Sequence, residues 1–161
     1  MQQATDTASR DDPFDLHRFT SAQERDYDQA VAELRLCCKK GHWMWYIFPQ
    51  IEGLGQSSMS KDYAIKSIAE ARAYLNHPVL GARLTECAQA ILACEGRTAL
   101  QIFRSDTDEK KLRSSMTLFA YVAPLGSVFT RVLDKYFKGV QDRETLRILE
   151  QLGDNTSDKQ T

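Results

Sequence analysis

The sequence predicts an all-α fold: a compact, mainly helical domain of about six to eight helices. Apolar residues recur at helical spacing in several stretches, and residues that begin or end helices separate these stretches. Alternating apolar and polar residues, which indicate half-buried strands, are nearly absent. The one strand candidate is the short apolar run 44–48, inside an irregular aromatic, glycine and serine loop that follows the first long helix.

The length of 161 residues corresponds to one domain, which we place at residues 13–153. The polar segments 1–12 and 154–161 are predicted to be a disordered arm and a disordered tail. With 21 basic and 22 acidic residues the net charge is −1, which argues against a nucleic-acid binder or a polybasic membrane protein. Neither a transmembrane run of about 20 residues nor a signal peptide is evident, so we expect a cytoplasmic location.

The four cysteines are expected to be small buried hydrophobic residues in a reducing compartment. Cys87 and Cys94 lie two helical turns apart, about 10 Å, which is too far for a disulfide or a shared metal ion. With only three histidines in the chain, we expect no metal site and no cofactor.

The first long helix is predicted over residues 22–40. Ser21 and Glu24 have the spacing of a capping box, and Gly41 follows two lysines at the position of a C-terminal glycine. Comparable signals predict further helices after Ser67, from Pro78, after Thr98, from Asp106, from Val128 and from Asp142.

Residues 42–60 form the one segment that helical spacing does not explain. It contains both tryptophans, Trp43 and Trp45, followed by glycines and serines. As a structural element it would be a buried connection whose aromatic rings fill the core. As a functional element it would be a ligand-binding loop, because glycines allow close approach, hydroxyls and free amides favour phosphate, and aromatic faces stack rings. The residues leave both interpretations open.

A second polar cluster occupies residues 106–115. Asp106 is predicted to cap a helix, with Glu109 at the capping-box position. Lys111, Ser114 and Ser115 share a face of that helix. Ser115 also lies on its apolar stripe, so its hydroxyl either bonds a backbone carbonyl or lines a cleft. A lysine and a serine on one face are, in addition, the pattern of a nucleophile and its base.

We therefore predict a small-ligand cleft where the 42–60 loop meets the 106–115 helix start, with a phosphorylated or nucleotide-like ligand. For a hydrolase acting on such a compound, Asp106 or Glu52 would activate water and Lys111 would hold the anion. The remaining residues expected to bind the ligand are His42, Trp43, Gln50, Gly53, Gly55, Ser57, Ser60, Tyr63 and Ser115.

The alternative is a protein-interaction module without catalysis. In that case the tryptophan-rich segment would be an exposed anchor, because Trp and Tyr are enriched at binding hot spots. The sequence does not decide between an enzyme and a binding protein.

Three runs of residues resemble the domain-of-unknown-function 1810 family: 42–57, 63–81 and 111–119. The first reads HWMWYIFPQ followed by Gly53-Leu54-Gly55, and the last contains Lys111-Leu112 and Ser114-Ser115-Met116. The resemblance covers about residues 14–152 and implies a compact, mainly helical single domain with no established biochemical function. Some members are labelled calpastatin, but calpastatin inhibitors are extended and disordered, whereas this composition is that of a globular domain.

A fainter similarity connects the chain with the NAD- and ADP-ribose-associated family. It consists of the tryptophan-rich start, Glu70 and Tyr74 one helical turn apart, and a later polar helix. That similarity implies action on N-glycosidic bonds of ribosyl compounds. For the predicted cleft it implies an ADP-ribose-like ligand and, in a hydrolase, cleavage of a ribosyl bond next to Asp106 or Glu52.

Overall fold

The structure is a computed structural model that describes the backbone of residues 11–160 and the side chains of residues 11–153. Within that range it has nine helices and no strand, which confirms the all-α prediction. Two short helices that begin within the 42–60 segment raise the count above the expected range. In chain order the helices are α1 His17–Arg35, α2 Met44–Ile47, α3 Ser58–Asp62, α4 Ile68–Asn76, α5 Leu80–Ala93, α6 Ala99–Phe103, α7 Asp106–Val122, α8 Val128–Phe137 and α9 Arg143–Gln160.

Helix α1 begins and ends five residues earlier than predicted. At its start the Asp12 carboxylate accepts hydrogen bonds from the amides of Leu16 (2.7 Å) and His17 (2.9 Å), so the Ser21 box is not the cap. At its end Cys37 adopts the left-handed conformation, with φ 59°, that was expected of Gly41. The helix therefore stops at Arg35, because the left-handed residue turns the chain away.

The strand candidate at residues 44–48 is wrong, since α2 occupies it. The amide of Phe48 donates to the Met44 carbonyl at 3.0 Å, which closes a helical turn. An apolar run buried on several sides suits either a strand or a helix, and within the described residues no strand lies beside it to pair with.

Three of the predicted helix starts are confirmed by side-chain caps. Ser67, Thr98 and Asp142 each accept a hydrogen bond from the amide three residues further on, at 3.0, 3.1 and 3.0 Å. These caps satisfy amides that a helix start otherwise leaves without a partner.

The cap of α7 is displaced by one residue from the prediction. Ser105 has an extended backbone, and its hydroxyl accepts from the Asp108 amide at 3.2 Å. Asp106 is therefore the first residue inside the helix rather than its cap. Its carboxylate is exposed in the first turn, where a negative charge interacts favourably with the helix dipole.

Aromatic side chains link the helices through one continuous core. Phe19 of α1 meets Tyr74 of α4 at 5.0 Å between ring centroids, and Tyr74 meets Phe119 of α7 at 5.3 Å. Phe119 in turn meets Phe129 of α8 at 5.9 Å. Helix α5 packs against both α1 and α8, so α1, α4, α5, α7 and α8 enclose the core.

Two polar side chains, one half-buried and one buried, hold α1 against its neighbours. Arg18 forms an ion pair with Glu70 at 2.7 Å, which connects α1 to α4. Gln23, only 1% exposed, donates to the Tyr46 carbonyl at 2.8 Å and to the Tyr74 hydroxyl at 3.1 Å. Gln23 thereby fixes the aromatic segment to the core.

The cysteines do not all remain free as expected. Cys37 and Cys94 form a disulfide between the end of α1 and the end of α5, with their Cα atoms 5.9 Å apart. Cys38 and Cys87 are free. The expectation failed because a disulfide depends on the approach of two distant chain segments.

At both chain ends, described residues outside the predicted domain limits of 13 and 153 take part in helices. Residues 1–10 of the predicted arm lie outside the described residues, whereas Asp12 caps α1. The backbone of α9 continues past Gly153 to Gln160. The disorder of segments 1–12 and 154–161 and the 13–153 domain limits stay predictions.

We expect Gly81→Ala to lower the free energy of unfolding by about 1–3 kcal/mol. A Cβ at Gly81 would lie 2.0 Å from the Leu75 carbonyl oxygen, so α5 would have to move away from the end of α4. Urea unfolding measures the change, with the exposed Gln89→Ala in the same helix as the control. A Gly81→Ala variant as stable as wild type would contradict this close packing.

Candidate functional site

A cleft of about 600 Å³ lies where the 42–60 loop meets the start of α7 and the start of α9. This is where the sequence predicts a cleft. The residues that line it are Trp45, Gln50, Leu54, Gly55, Gln56, Ser57, Ser60, Thr107, Lys110, Lys111, Ser114, Asp142 and Glu144.

Backbone pairing holds the base of the loop in place. The Ile65 amide donates to the Gln50 carbonyl and the Glu52 amide donates to the Ile65 carbonyl, both at 2.8 Å. Ile51 and Ile65 are buried at this bridge. The loop that follows is therefore anchored at its first residues, and Gln50 faces the cleft.

The loop then turns into α3 through a hydroxyl cap. The Ser57 hydroxyl accepts from the Ser60 amide at 3.1 Å and lies 3.0 Å from the Ser60 hydroxyl. A Cβ at Gly55 would lie 2.4 Å from the Ser60 hydroxyl oxygen, so this close approach requires glycine. Two serine hydroxyls are thereby held together at the cleft wall.

Two lysines, two tryptophans and one carboxylate form a connected cluster beneath the cleft. Asp108 lies between the lysines, with Oδ2 2.8 Å from Lys39 Nζ and Oδ1 3.7 Å from Lys111 Nζ. The Lys39 ammonium lies 5.0 Å from the Trp43 ring centroid, and the Lys111 ammonium lies 4.5 Å from that of Trp45. Lys39 is only 6% exposed, whereas Lys111 reaches the cleft.

A buried carboxylate, Glu33, organises the turn that carries Lys39. Its Oε1 accepts from the Lys40 amide (2.8 Å), the Gly41 amide (2.9 Å) and the Trp43 indole (2.9 Å), and its Oε2 accepts from Gln29 (2.8 Å). Burial by itself raises the pKa of Glu33, but these hydrogen bonds outweigh it and lower the pKa to about 2. Glu33 is therefore a charged anchor of the structure rather than an acid or base.

The structure brings five of the predicted site residues to the cleft. They are Gln50, Gly55, Ser57, Ser60 and Lys111. Of the predicted catalytic groups, only Lys111 is among them. Asp106 is exposed on the first turn of α7, and Glu52 is exposed beyond the bridge at Ile51. Neither carboxylate is part of the lining.

The other predicted residues lie apart from the cleft lining for different reasons. His42 and Gly53 are exposed on the surface, and Gly53 makes a turn with φ 108°. Trp43 is 1% exposed and donates its indole N–H to Glu33, so it belongs to the core. Tyr63 packs against Phe19, with ring centroids 5.8 Å apart.

Ser115 is fully buried on α7, and its hydroxyl has no hydrogen-bond partner among the described residues. Ser114, at 5% exposure, lines the cleft instead. The two serines are about 100° apart around the helix, so only one of them shares the face of Lys111 at the cleft.

Four residues that matter here were not among the predicted site residues: Trp45, Lys39, Lys110 and Ser114. Ser114 carried a usable signal, because it lies three residues after Lys111 and therefore on the same helix face. Trp45 could not be separated from Trp43 without knowing which side of α2 is buried. Lys39 had no local signal, because its partner Asp108 is distant in the chain.

Within the described residues, no group of three or more His, Cys, Asp or Glu side chains could hold a metal ion. In the same part of the chain, no helix combines the length and apolar character needed to cross a membrane. The fold and site thus define a mainly helical single-domain protein with a polar cleft beside a Lys–Asp–Lys cluster.

The family model described as "Protein of unknown function (DUF1810)" matches residues 13–149, so the chain belongs to this family. The chain is also similar to a conserved hypothetical protein, Rv1873, from Mycobacterium tuberculosis, known from a crystal structure. The two are 47% identical with a TM-score of 0.84, and the match covers 86% of this chain and 99% of the other. No curated protein matches the sequence.

Proposed function

We propose that the cleft binds a phosphorylated small molecule. The observation that carries this proposal is the grouping of Lys110 and Lys111 with three serine hydroxyls around one cleft of about 600 Å³. That volume lies within the usual range for small-molecule sites, and ammonium and hydroxyl groups are the donors that phosphate oxygens accept from.

The acidic residues of the cleft do not cancel this preference. Asp142 accepts from the Thr145 amide at 3.0 Å and from its hydroxyl at 2.6 Å, and Glu144 pairs with Arg147 at 2.7 Å. Both carboxylates are thus engaged by groups of α9. Lys111, 3.7 Å from Asp108, keeps ammonium protons to donate into the cleft.

An organic ring in the same ligand is supported by the apolar part of the wall. Trp45 and Leu54 line the cleft together with Gln50, whose amide offers both a donor and an acceptor. This combination suits a nucleotide, including the ADP-ribose-like ligand expected from the sequence. The Lys111 ammonium lies over the Trp45 ring, 4.5 Å from its centroid. A ligand ring at Trp45 and a phosphate at Lys111 would therefore lie side by side.

The hydrolysis expected from the sequence relies on a carboxylate that is free to activate water. Asp142 and Glu144 have partners in α9, and Asp108 is held between Lys39 and Lys111. The proposal is therefore limited to binding of the ligand, which we place in the cytoplasm. Turnover of ADP-ribose is assayed in parallel with its binding.

A protein-interaction module remains the competing function, but its expected anchor is not exposed. Trp43 is buried, and Trp45 is half-buried beneath the Lys111 ammonium. We therefore rank the small-ligand proposal above it.

We expect the protein to bind at least one of AMP, ADP-ribose and NAD, and Lys111→Ala to weaken that binding about tenfold or more. The cause is the loss of a charge-assisted hydrogen bond to phosphate. Isothermal titration calorimetry measures the affinity, with thermal unfolding to verify that the variant is folded.

Lys66→Ala is the matched control, because Lys66 is exposed and outside the cleft. Equal weakening in both variants would indicate general electrostatics, and no binding of the three nucleotides would refute the proposal. In the second case a pull-down of protein partners becomes the next experiment.

A further inference from the structure

A second cavity, of about 280 Å³, lies on the other side of Lys110 from the cleft. Helix α7 contributes Glu109, Lys110 and Arg113 to its wall, and the end of α8 contributes Tyr136, Phe137 and Lys138. Of the α7 residues, only Lys110 also lines the cleft, so the two spaces lie on adjacent faces of the helix.

Arg113 is unusual among the half-buried arginines of the described chain. Arg18 donates to Glu70 and to backbone carbonyls, and Arg83 donates to Gln23. The Arg113 guanidinium has no hydrogen-bond or ion-pair partner among the described residues, and its Nε atom is buried. Since Arg113 lines the cavity, the terminal N–H groups of its guanidinium can donate to a ligand there.

The Arg113 guanidinium is also held in position. Its central carbon lies 4.9 Å from the Phe137 ring centroid, so the guanidinium rests against an aromatic ring of α8. A planar guanidinium presents its donors in a fork that matches the spacing of two oxygens on one phosphate or carboxylate. An anion would therefore meet a group that needs little reorganisation.

The charges around the cavity favour a dianion. Lys110, Arg113 and Lys138 contribute three positive charges and Glu109 one negative charge, which leaves a local charge of 3 − 1 = +2. The end of α8 contributes some negative potential, but the Leu133 and Phe137 carbonyls already accept from the amides of Gly139 and Val140. A phosphoryl group carries close to two negative charges at neutral pH.

We propose that this cavity, the Arg113 pocket, is a phosphoryl-binding site separate from the cleft. Arg113 donates its terminal N–H groups to the phosphoryl oxygens, and Lys110 and Lys138 balance the charge. The site binds free phosphate or the phosphoryl end of a monoester.

The test is a titration of the ¹⁵N-labelled full chain with inorganic phosphate, at constant ionic strength, while the Arg Nε–Hε resonances are followed. We expect a saturable shift of the Arg113 resonance, a weaker or absent response to acetate, and the same behaviour with glycerol phosphate. A shift that sodium chloride reproduces, or no shift with phosphate, would overturn the proposal.

Variants distinguish this pocket from general surface charge. The same titration of the variants is followed through the backbone amide resonances of the pocket residues, and Arg113→Gln and Lys138→Gln are each expected to weaken phosphate binding about tenfold. The control Arg131→Gln removes the same charge from an exposed position of α8 outside the pocket and is expected to bind normally. Equal weakening by Arg131→Gln would overturn the proposal. Thermal unfolding verifies that each variant is folded.

Lys111→Gln separates this proposal from the one for the cleft, because Lys111 does not line the Arg113 pocket. We expect the Arg113 resonance to respond to phosphate in Lys111→Gln as in wild type. Loss of the response in that variant would mean that phosphate acts through the cleft, which would refute a separate site and leave the cleft proposal standing.

Discussion

Reduction of the Cys37–Cys94 disulfide is expected to lower the free energy of unfolding by about 2–4 kcal/mol. The bond joins residues 57 apart in the sequence, so in the unfolded chain it closes a long loop and restricts its conformations. The chain-entropy model gives about 4 kcal/mol for a loop of this length. Urea unfolding with and without reductant measures the difference, and intact mass verifies the redox state.

Cys37→Ser is expected to reproduce the effect of reductant, and Cys38→Ser is the matched control. Cys38 is the adjacent free thiol, so its replacement leaves the disulfide intact while removing a thiol of the same turn. Cys87 is not an exchange partner, because burial raises the pKa of its thiol to about 12. Oxidised and reduced protein of equal stability, within about 0.5 kcal/mol, would contradict the prediction.

The disulfide also helps to position Lys39, which belongs to the cluster beneath the cleft. It fixes the end of α1, and the residues that follow carry Lys39 to its ion pair with Asp108. The Lys39 amide donates to the Ile102 carbonyl at 2.8 Å, which provides a second attachment for the same turn. We therefore expect the reduced protein to keep its fold at neutral pH while unfolding at lower urea.

Glu33→Gln is expected to lower the free energy of unfolding by roughly 3 kcal/mol at pH 7. The Glu33 carboxylate accepts four hydrogen bonds, and a glutamine has no charge to strengthen them. The NH2 group of the glutamine would also face a donor, either the Gln29 amide or the N–H groups of residues 40–43. Because Glu33 is 8% exposed, little solvent is present to compensate. Urea unfolding measures the loss, and Glu24→Gln, on the exposed side of α1, is the control.

The same prediction has a pH dependence with a defined sign. The pKa of Glu33 falls from 4.5 to about 2 on folding, so its contribution is complete above pH 4.5 and disappears as the pH falls towards 2. The difference between wild type and Glu33→Gln should therefore be smaller at pH 3 than at pH 7. A difference independent of pH would show that packing, rather than the charge, is responsible.

The candidate site was predictable where the relevant residues are neighbours in the chain. Ser57 and Ser60 are three residues apart and meet through a helix cap, and Gly55 precedes them in the same loop. The position of Lys111 on the α7 face follows from helical periodicity. Asp106 and Glu52 were selected by charge and proximity in sequence alone, which does not reveal the direction of a side chain.

The helical class, most of the helix starts and the unusual character of residues 42–60 can be read from the sequence. These properties depend on local spacing and on caps formed within one turn, so a few neighbouring residues are sufficient to specify them. Three features become visible only in the folded chain. Trp43 lies in the core whereas Trp45 lines the cleft, Lys39 pairs with Asp108, and Cys37 forms a disulfide with Cys94. Such pairings depend on how distant helices pack, because the free energy of burial depends on the whole set of contacts.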